Sequence, residues 1–493
     1  MVALELLVEF LLTVSLAMLA VMSAHLGLLA LARWSTHRPS WLPSPPRLIP
    51  ASPLTNYPDV LVQLPLFNEG ELVTQILTAV TALDWPRDKL WIQVLDDSTD
   101  DSLITSRRAV AAVKHAGFHV ELLHRRKRTA FKAGALAAGL RRSTAAYVAI
   151  FDADFQPPPD FLQRTVGVLL ANTDLAYVQT RWGHANRDHS LLTRAQARLL
   201  DGHFRVEQEA RDSLGLPAPF NGTCGVWRRT AINSAGGWHG DTLTEDLDLS
   251  LRARLHGWRA AYLSDLVVPG VLPTSPRAWR TQQFRWTKGF AQCGIKLLPA
   301  VWSSPRLFHW QRLMITLQLI QPLAFLFGIL CLLLGLPFIA GNMTPGYVLT
   351  AVALITSGVG LIGPIAVLLL GGRGEPKLSV LRDALIAMVL TAGLLLSNAR
   401  AGFEAMIGFR SDFIRTPKAR LHTSNNNQKR WWRCGLAELI AGFSLLIFSL
   451  LEAPAATVSL TLVIGGLLSF GLMQAHESGA FNKPAQIWAR LGE

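Results

Sequence analysis

Several small groups of residues in this sequence could do chemistry together. Asp152 and Asp154 stand one residue apart where an apolar run, 148–151, gives out. Alternate residues of a strand face the same side, so the two carboxylates would project together. Paired oxygen ligands of that kind suit Mg²⁺ or Mn²⁺, which take waters and substrate phosphates as further ligands. A second acidic pair, Asp96-Asp97, ends another short apolar run at 91–95. Thr244-Glu245-Asp246 opens an apolar helical stretch at 247–255, and Gln282-x-x-Arg285-Trp286 lies ahead of the long apolar segments of the C-terminal half. Arg128 and Lys132 flank the start of a helical pattern at 132–140. The helix dipole disfavours cations there unless an anion is present, and a diphosphate would be such an anion. Taken singly, each group has a plain explanation: a wet strand end, a helix cap, a solvated helix start, an interfacial tryptophan beside an arginine.

The elements that would position these groups are strands alternating with helices. Period-two apolar runs predict strands at 60–66, 91–95, 120–124, 147–151 and 176–180, with helices at 69–83, 132–140 and 247–255. Such alternation implies a mostly parallel sheet that binds ligands at the C-terminal ends of its strands. Asn68-Glu69, the acidic run 96–101 and the Asp152/Asp154 pair all fall at those ends. Phe220-Asn221-Gly222-Thr223-Cys224-Gly225 and Gly236-Gly237-Trp238 read as tight turns. Arg125, Arg126 and Lys127 read as a solvated helix start. The sequence holds neither Gly-x-Gly-x-x-Gly nor Gly-x-x-x-x-Gly-Lys-Ser/Thr, so dinucleotide and Walker-type sites lose their main support.

Composition says where this middle region sits. The 493 residues are 50% hydrophobic and only 16% charged, with a mean hydropathy of +0.29, whereas soluble chains carry about 25% charged residues. The apolar excess lies at both ends, so a membrane protein with a large soluble insert is expected. Residues 10–32 suffice for one span, and the acidic start and following arginines suit an uncleaved anchor with its N-terminus outside. A proline-rich linker follows at 39–58. Further spans are expected at 313–340, 347–370, 436–451 and 455–473. The segment 384–396 is shorter than the ~20 residues a span needs and has basic residues on both sides. We read 381–408 as an interface or re-entrant helix, which leaves five spans and a cytosolic C-terminus. The net charge of +13 gathers beside the apolar segments, at Arg33, Arg38 and Arg47, at Arg277, Arg280 and Arg285, and over 418–433. That placement suits anionic headgroups and the positive-inside bias and argues against nucleic acid. Cys224, Cys293, Cys331 and Cys434 have no paired or zinc-type spacing, which fits a reducing, cytosolic setting.

In order and spacing, Asp96-Asp97, Asp152-x-Asp154, Thr244-Glu245-Asp246 and Gln282-x-x-Arg285-Trp286 resemble the signature of the family 2 glycosyltransferases. Within that family they resemble the membrane-integrated processive synthases, over roughly residues 55–420. Val178-Gln179-Thr180-Arg181-Trp182, Val206-Glu207-Gln208-Glu209 and Phe220-Asn221-Gly222-Thr223 are most similar to the cellulose-synthase-like mannan and glucomannan synthases. The resemblance implies an α/β GT-A domain at 51–300, inserted between transmembrane helices. An anchor and linker would occupy 1–50, two transmembrane helices 301–375, and an interface helix with a gating-type loop 376–433. Two more spans and a tail would occupy 434–493.

The resemblance also implies roles. Asp96 and Asp97 would contact the base and ribose of a UDP- or GDP-hexose. Asp154, with Asp152, would hold Mg²⁺ or Mn²⁺ on its diphosphate, and Arg128, Lys132 and Arg285 would face the departing charge. Asp246 would be the general base, and Gln282, Trp286, Trp182 and Asn221 would position the acceptor. Thr416 and Lys418, in Phe413-Ile414-Arg415-Thr416-Pro417-Lys418, would close over the nucleotide, although Arg415 departs from the family's valine. One base and direct displacement imply inversion, giving a β-linked polysaccharide made at the cytosolic face of a bacterial plasma membrane, with export possible. The alternatives are transfer of one or a few sugars to a membrane lipid, or a channel whose soluble domain only binds nucleotide. Nothing after about residue 475 is long enough for a cyclic-di-GMP-binding domain.

Overall fold

The apolar runs become strands. The computed structural model describes residues 2–35, 46, 54, 56–409 and 435–478. In it, β1 (Val60–Leu66), β2 (Leu90–Asp96), β3 (His119–His124), β4 (Tyr147–Ile150), β5 (Leu175–His184), β6 (Gly225–Arg228) and β7 (Arg259–Gly270) form one sheet. The strand order is β3-β2-β1-β4-β6-β5-β7. Every neighbouring pair is parallel except β4–β6 and β5–β6. Alternation along β1 sends Val60, Val62 and Leu64 into one apolar core and Leu61 into the other. After the N-terminal helix α1 (Val2–Trp34), helices α2 (Leu72–Thr81), α3 (Ser102–His115) and α5 (Phe161–Ala171) cover the first core. Helices α4 (Phe131–Leu140), α8 (Arg229–Ser234) and α9 (Glu245–Leu255) cover the second.

The mixed α/β sheet expected of a GT-A domain is therefore present, with two strands beyond the five read from the sequence. β6 is four residues long and follows directly on the 220–224 turn, too short for a period to show. β7 carries proline and aspartate and is joined to β5 across register shifts, which blurs its alternation. Helix α2 starts later than expected because Asn68 and Gly70 hold φ of 53° and 55°, which no helix allows.

Between β5 and β6 runs a near-continuous helix: α6 (Leu191–Gly202), a π-helical stretch at His203–Gln208, and α7 (Glu209–Ser213). Ser190 caps it through a reciprocal box with Thr193. After β7 comes α10 (Pro276–Ser303), entered through Ser275, whose hydroxyl accepts from Ala278 N at 3.2 Å, with proline in the first turn. This 28-residue helix carries Gln282, Arg285 and Trp286.

The apolar C-terminal half supplies α11 (His309–Ile320), α12 (Ala324–Ile339), α13 (Tyr347–Val359), α14 (Ile362–Gly371), α15 (Lys377–Ala392), α16 (Leu395–Met406), α17 (Leu436–Leu451) and α18 (Thr457–Glu477). Among the described residues four helices are long and apolar enough to cross a membrane: Val2–Trp34, His309–Ile339, Tyr347–Gly371 and Ser459–Glu477. The pair α15–α16, bent by 55°, is a fifth if it counts as one span. The expected set differed, because it counted 436–451. Helix α17 has 16 residues, which at 1.5 Å each reach about 24 Å, short of a ~30 Å hydrocarbon core. The break expected within 381–408 falls between α15 and α16. There α15 packs on α6 and α18, and α16 on α10 and α12. The 413–418 motif and Cys434 lie outside the described residues.

Candidate active site

At the C-terminal ends of β1, β2 and β4 the sheet opens onto a cavity of about 570 Å³. Asp97, Arg128, Lys132, Asp152, Asp154, Trp182, Asn221, Asp246, Gln282, Arg285 and Trp286 all line it. Asp96 does not. It is fully buried at the end of β2, where its Oδ1 accepts from Ser98 N at 2.7 Å and shapes the turn. Among the described residues four non-glycine residues hold positive φ: Asn68, Ala130, Phe131 and Cys224. They flank the lining segments Phe67–Glu69, Arg128–Lys132 and Asn221–Gly222. Backbone strain of this kind collects where a fold over-determines a site.

Asp97 is held from the next strand end. Arg125 donates to it twice, Nε to Oδ1 at 2.8 Å and Nη2 to Oδ2 at 2.5 Å, and also to the carbonyls of Thr129 and Phe131. The sequence reading of Arg125 as solvated was therefore mistaken: a bidentate carboxylate partner one strand away gives the half-buried side chain a structural role. Arg128 lies 3.9 Å from Asp97 Oδ2, with its guanidinium 3.5 Å above the Phe67 ring.

Lys132, in the first turn of α4, joins the two carboxylate groups of the site. Its Nζ donates to Asp152 Oδ1 at 2.6 Å and to Gly222 O at 2.9 Å. Burial works against its charge, yet Asp152, Glu245 and Asp246 hold its pKa above the ordinary lysine value. Thr223 Oγ1 accepts from Asp152 N at 2.8 Å, and Asp154 Oδ2 accepts from Val271 N at 3.3 Å. Two carboxylates on one wall, with only oxygen to offer, are the donor type that Mg²⁺ and Mn²⁺ prefer.

Close to Lys132 stands Asp246, in the first turn of α9, its Oδ1 accepting from Leu247 N at 2.9 Å. Burial, reinforced by the Glu245 charge and opposed by Lys132, raises its carboxyl from 3.8 to about 7. Gly222 lets the turn approach this carboxylate. Its φ is +80°, and a Cβ there would lie 2.9 Å from Asp246 Oδ2. Arg285 is pulled below its ordinary pKa by burial, against the fields of Glu245, Asp152 and Asp246. Trp182 packs between Phe155 and Phe204 at 5.1 Å from each ring, and Asn221 Oδ1 lies 3.2 Å from His203 Nε2.

The far wall is one the sequence reading missed. His25 from α1, Gln318 from α11, Gln321 and Thr391 line the same cavity. Buried Arg211 links the first three: it donates to Gln318 Oε1 at 3.0 Å and lies 3.3 Å from His25 Nε2, while His25 Nδ1 lies 3.3 Å from Gln321 Oε1. Burial lowers the Arg211 pKa to about 10. The available signal was polar side chains inside otherwise apolar segments, which as a rule face an interior.

One other acidic cluster, His239, Asp241 and Asp248, could place three ligand atoms within 4.8 Å of one another. It lies away from the cavity lining. Lys296 Nζ already stands 2.7 Å from Asp241 Oδ1 and 2.8 Å from Asp248 Oδ1, and Arg252 pairs with Asp248 at 2.6 Å. The protein's own cations neutralise it.

Residues 58–289 match the family described as glycosyltransferase like family 2. The region of the match holds Asp97, Lys132, both carboxylates of the Asp152/Asp154 pair, Asp246 and Arg285. These residues form a family 2 glycosyltransferase domain. Among curated relatives, the chain is 44% identical over 261 residues to glucomannan 4-beta-mannosyltransferase 1 of Oryza sativa subsp. japonica, covering 52% of this chain and 50% of that one. It is 46% identical over 263 residues to glucomannan 4-beta-mannosyltransferase 2 of Arabidopsis thaliana, covering 52% and 49%. The chain thus spans about half the length of the curated relatives it matches. Among solved structures, the mannosyltransferase PcManGT from Pyrobaculum calidifontis, in complex with GDP-Man and Mn²⁺, shares the fold at a TM-score of 0.52 and 22% identity. That likeness covers 79% of this chain and 99% of that one. His25, Gln318, Gln321 and Thr391 lie outside the matched glycosyltransferase domain.

Proposed function

We propose that the chain transfers a hexose, mannose in the first instance, from a nucleotide sugar to a growing β-linked polysaccharide of mannan or glucomannan type, with inversion. The observation that carries the reading is Asp246: a buried carboxylate raised to about 7, on the cavity wall that also holds Lys132, Asp152 and Arg285. A carboxylate poised near neutrality is suited to take the acceptor hydroxyl's proton as that oxygen attacks the anomeric carbon. As that bond forms the bond to the diphosphate breaks, and Lys132, Arg128 and Arg285 meet the departing charge. Asp152 and Asp154 would hold Mg²⁺ or Mn²⁺, which when bound supplies Lewis-acid stabilisation of the diphosphate. Trp286 and Trp182 offer flat faces for the acceptor ring, with Gln282 and Asn221 beside them for its hydroxyls. Mannose is favoured because the curated relatives are mannosyltransferases.

The far wall favours a saccharide over a lipid acceptor. His25, Gln318, Gln321 and Thr391 come from the membrane half, and hydroxyl-rich chains, unlike acyl tails, find partners there. The same wall supports delivery of product toward the membrane from a catalytic domain on its cytosolic side. The curated relatives are plant proteins and lend nothing to a bacterial location.

Membranes containing the full chain, supplied with GDP- and UDP-hexoses and Mg²⁺ or Mn²⁺, test this. The expected product is high-mass and β-linked by NMR. An α-linkage refutes inversion, product partitioning with lipid refutes the polymer, and unchanged turnover in Asp246→Asn refutes the base.

A further inference from the structure

Helix α10 runs on past Trp286, and its next turn touches two elements at once. Lys288 is fully buried and donates to Glu404 Oε2 on α16 at 2.8 Å, while Glu404 Oε1 accepts from Arg400 at 2.7 Å. The adjacent residue, Gly289, faces Thr244. A Cβ at Gly289 would lie 2.5 Å from Thr244 Cγ2, 2.7 Å from its Oγ1 and 3.0 Å from its Cβ. Thr244 is the N-cap of α9, yet its side chain makes no capping bond to its own helix. It turns to α10 instead, with Oγ1 3.4 Å from Cys293 Sγ. Gln292 Oε1 accepts from Leu243 N at 2.9 Å. Helix α10 therefore holds the start of α9 at Gly289, Gln292 and Cys293, and Asp246 lies two residues past Thr244, in the first turn.

From these contacts we infer that Gly289 is a positioning residue: its bare backbone sets how far the first turn of α9, and with it the Asp246 carboxylate, advances into the cavity. Lys288 and Glu404 reference α10 to the broken membrane helix pair, so that α16 and the base share one rigid support. The inference rests on Asp246 being the base. It also makes a distinction in kinetics. Lys132, Asp152 and Asp154 stand on α4 and the end of β4, which Gly289 does not touch, and Arg285 lies a full turn earlier on α10 itself, so a shift of α9 at Thr244 falls on turnover rather than on donor binding. A misplacement of 1 Å can cost about 100-fold in rate.

The test uses the full chain in membranes, with kcat and donor KM measured for Gly289→Ala, Thr244→Gly, the double variant and Asp246→Asn. Gly289→Ala closes the contact and Thr244→Gly opens it, and glycine is itself a good N-cap. Each single change should lower kcat about tenfold or more with donor KM essentially unchanged, and the double variant should regain most of the loss. A double variant no better than the worse single, or single losses appearing in donor KM, overturns the inference. Should Gly289→Ala fail to accumulate, Thr244→Gly and the double variant decide alone. Full activity in Gly289→Ala beside a dead Asp246→Asn removes only this inference; full activity in Asp246→Asn removes the base and the inference together.

Discussion

The sharpest expectation concerns proton concentration. As the proposed base Asp246 must be ionised to take the acceptor proton, and burial with the Glu245 charge places its carboxyl at about 7. An ordinary aspartate, near 3.9, would be ionised throughout the neutral range. With the carboxyl at about 7 the active fraction is about a half at pH 7, about a tenth at pH 6 and about a hundredth at pH 5. The sign for stability is the reverse. A folded carboxyl pKa above the unfolded one favours the fold at low pH, and that contribution is lost as pH rises through about 7. Turnover should therefore rise over the interval in which this group's contribution to stability falls. Initial rates at saturating donor and acceptor, from pH 5 to 8.5, give the acid limb. Glu245→Gln removes the like charge that raises the carboxyl and should move the limb to lower pH. A flat profile from pH 5.5 to 8, or a limb that Glu245→Gln leaves in place, would refute the assignment.

Three further outcomes are expected. Lys132→Met removes the cation that bridges Asp152 and Gly222; donor affinity, measured by nucleotide-diphosphate titration, should fall at least tenfold, the equivalent of about 1.4 kcal/mol. Asp154→Asn should weaken Mn²⁺ binding read by electron paramagnetic resonance in the presence of nucleotide diphosphate, whereas Asp241→Asn should not, since Lys296 already occupies that cluster. Lys288→Met breaks a buried ion pair but leaves Glu404 with Arg400, and should destabilise by about 1–3 kcal/mol, read as a lower melting temperature. Adding Glu404→Gln to it should restore much of that loss, and no recovery would mean the pair carries little of the packing between α10 and α16.

The core of the sheet was legible because β1, β2 and β4 are short apolar runs ending in polar residues, the pattern that buried parallel strands impose. The carboxylates were legible for the same reason, since a strand end is where a charge can stand beside an apolar core. What escaped had no local signal. Arg125 finds Asp97 from a neighbouring strand 28 residues away, and adjacency across a sheet is not written into either segment. Asp96 and Asp97 look equivalent in sequence, yet the pleat turns one inward to Ser98 and the other to the cavity. β6 and α17 were misjudged because four residues are too few to show a period and 16 apolar residues look like a span until their length is measured. The far wall escaped because His25, Gln318 and Gln321 each look like an isolated blemish in an apolar helix, and only packing shows that they meet.

That far wall has a consequence for the order in which the protein can be made. α1 is the first element synthesised, but it packs on α12, α13 and α14. Ser23 donates to the carbonyl of Val359, 336 residues later. At about 5–20 residues per second, a ribosome takes on the order of twenty seconds to a minute to cover that gap. Within that interval the sheet is complete once β7 has been made, so it and its carboxylates can fold before Gln318 and Gln321 exist to meet His25. A nascent chain thus completes the strand-end wall of the cavity first and the far wall last. The cavity is therefore walled on both sides only after the apolar C-terminal helices have been made.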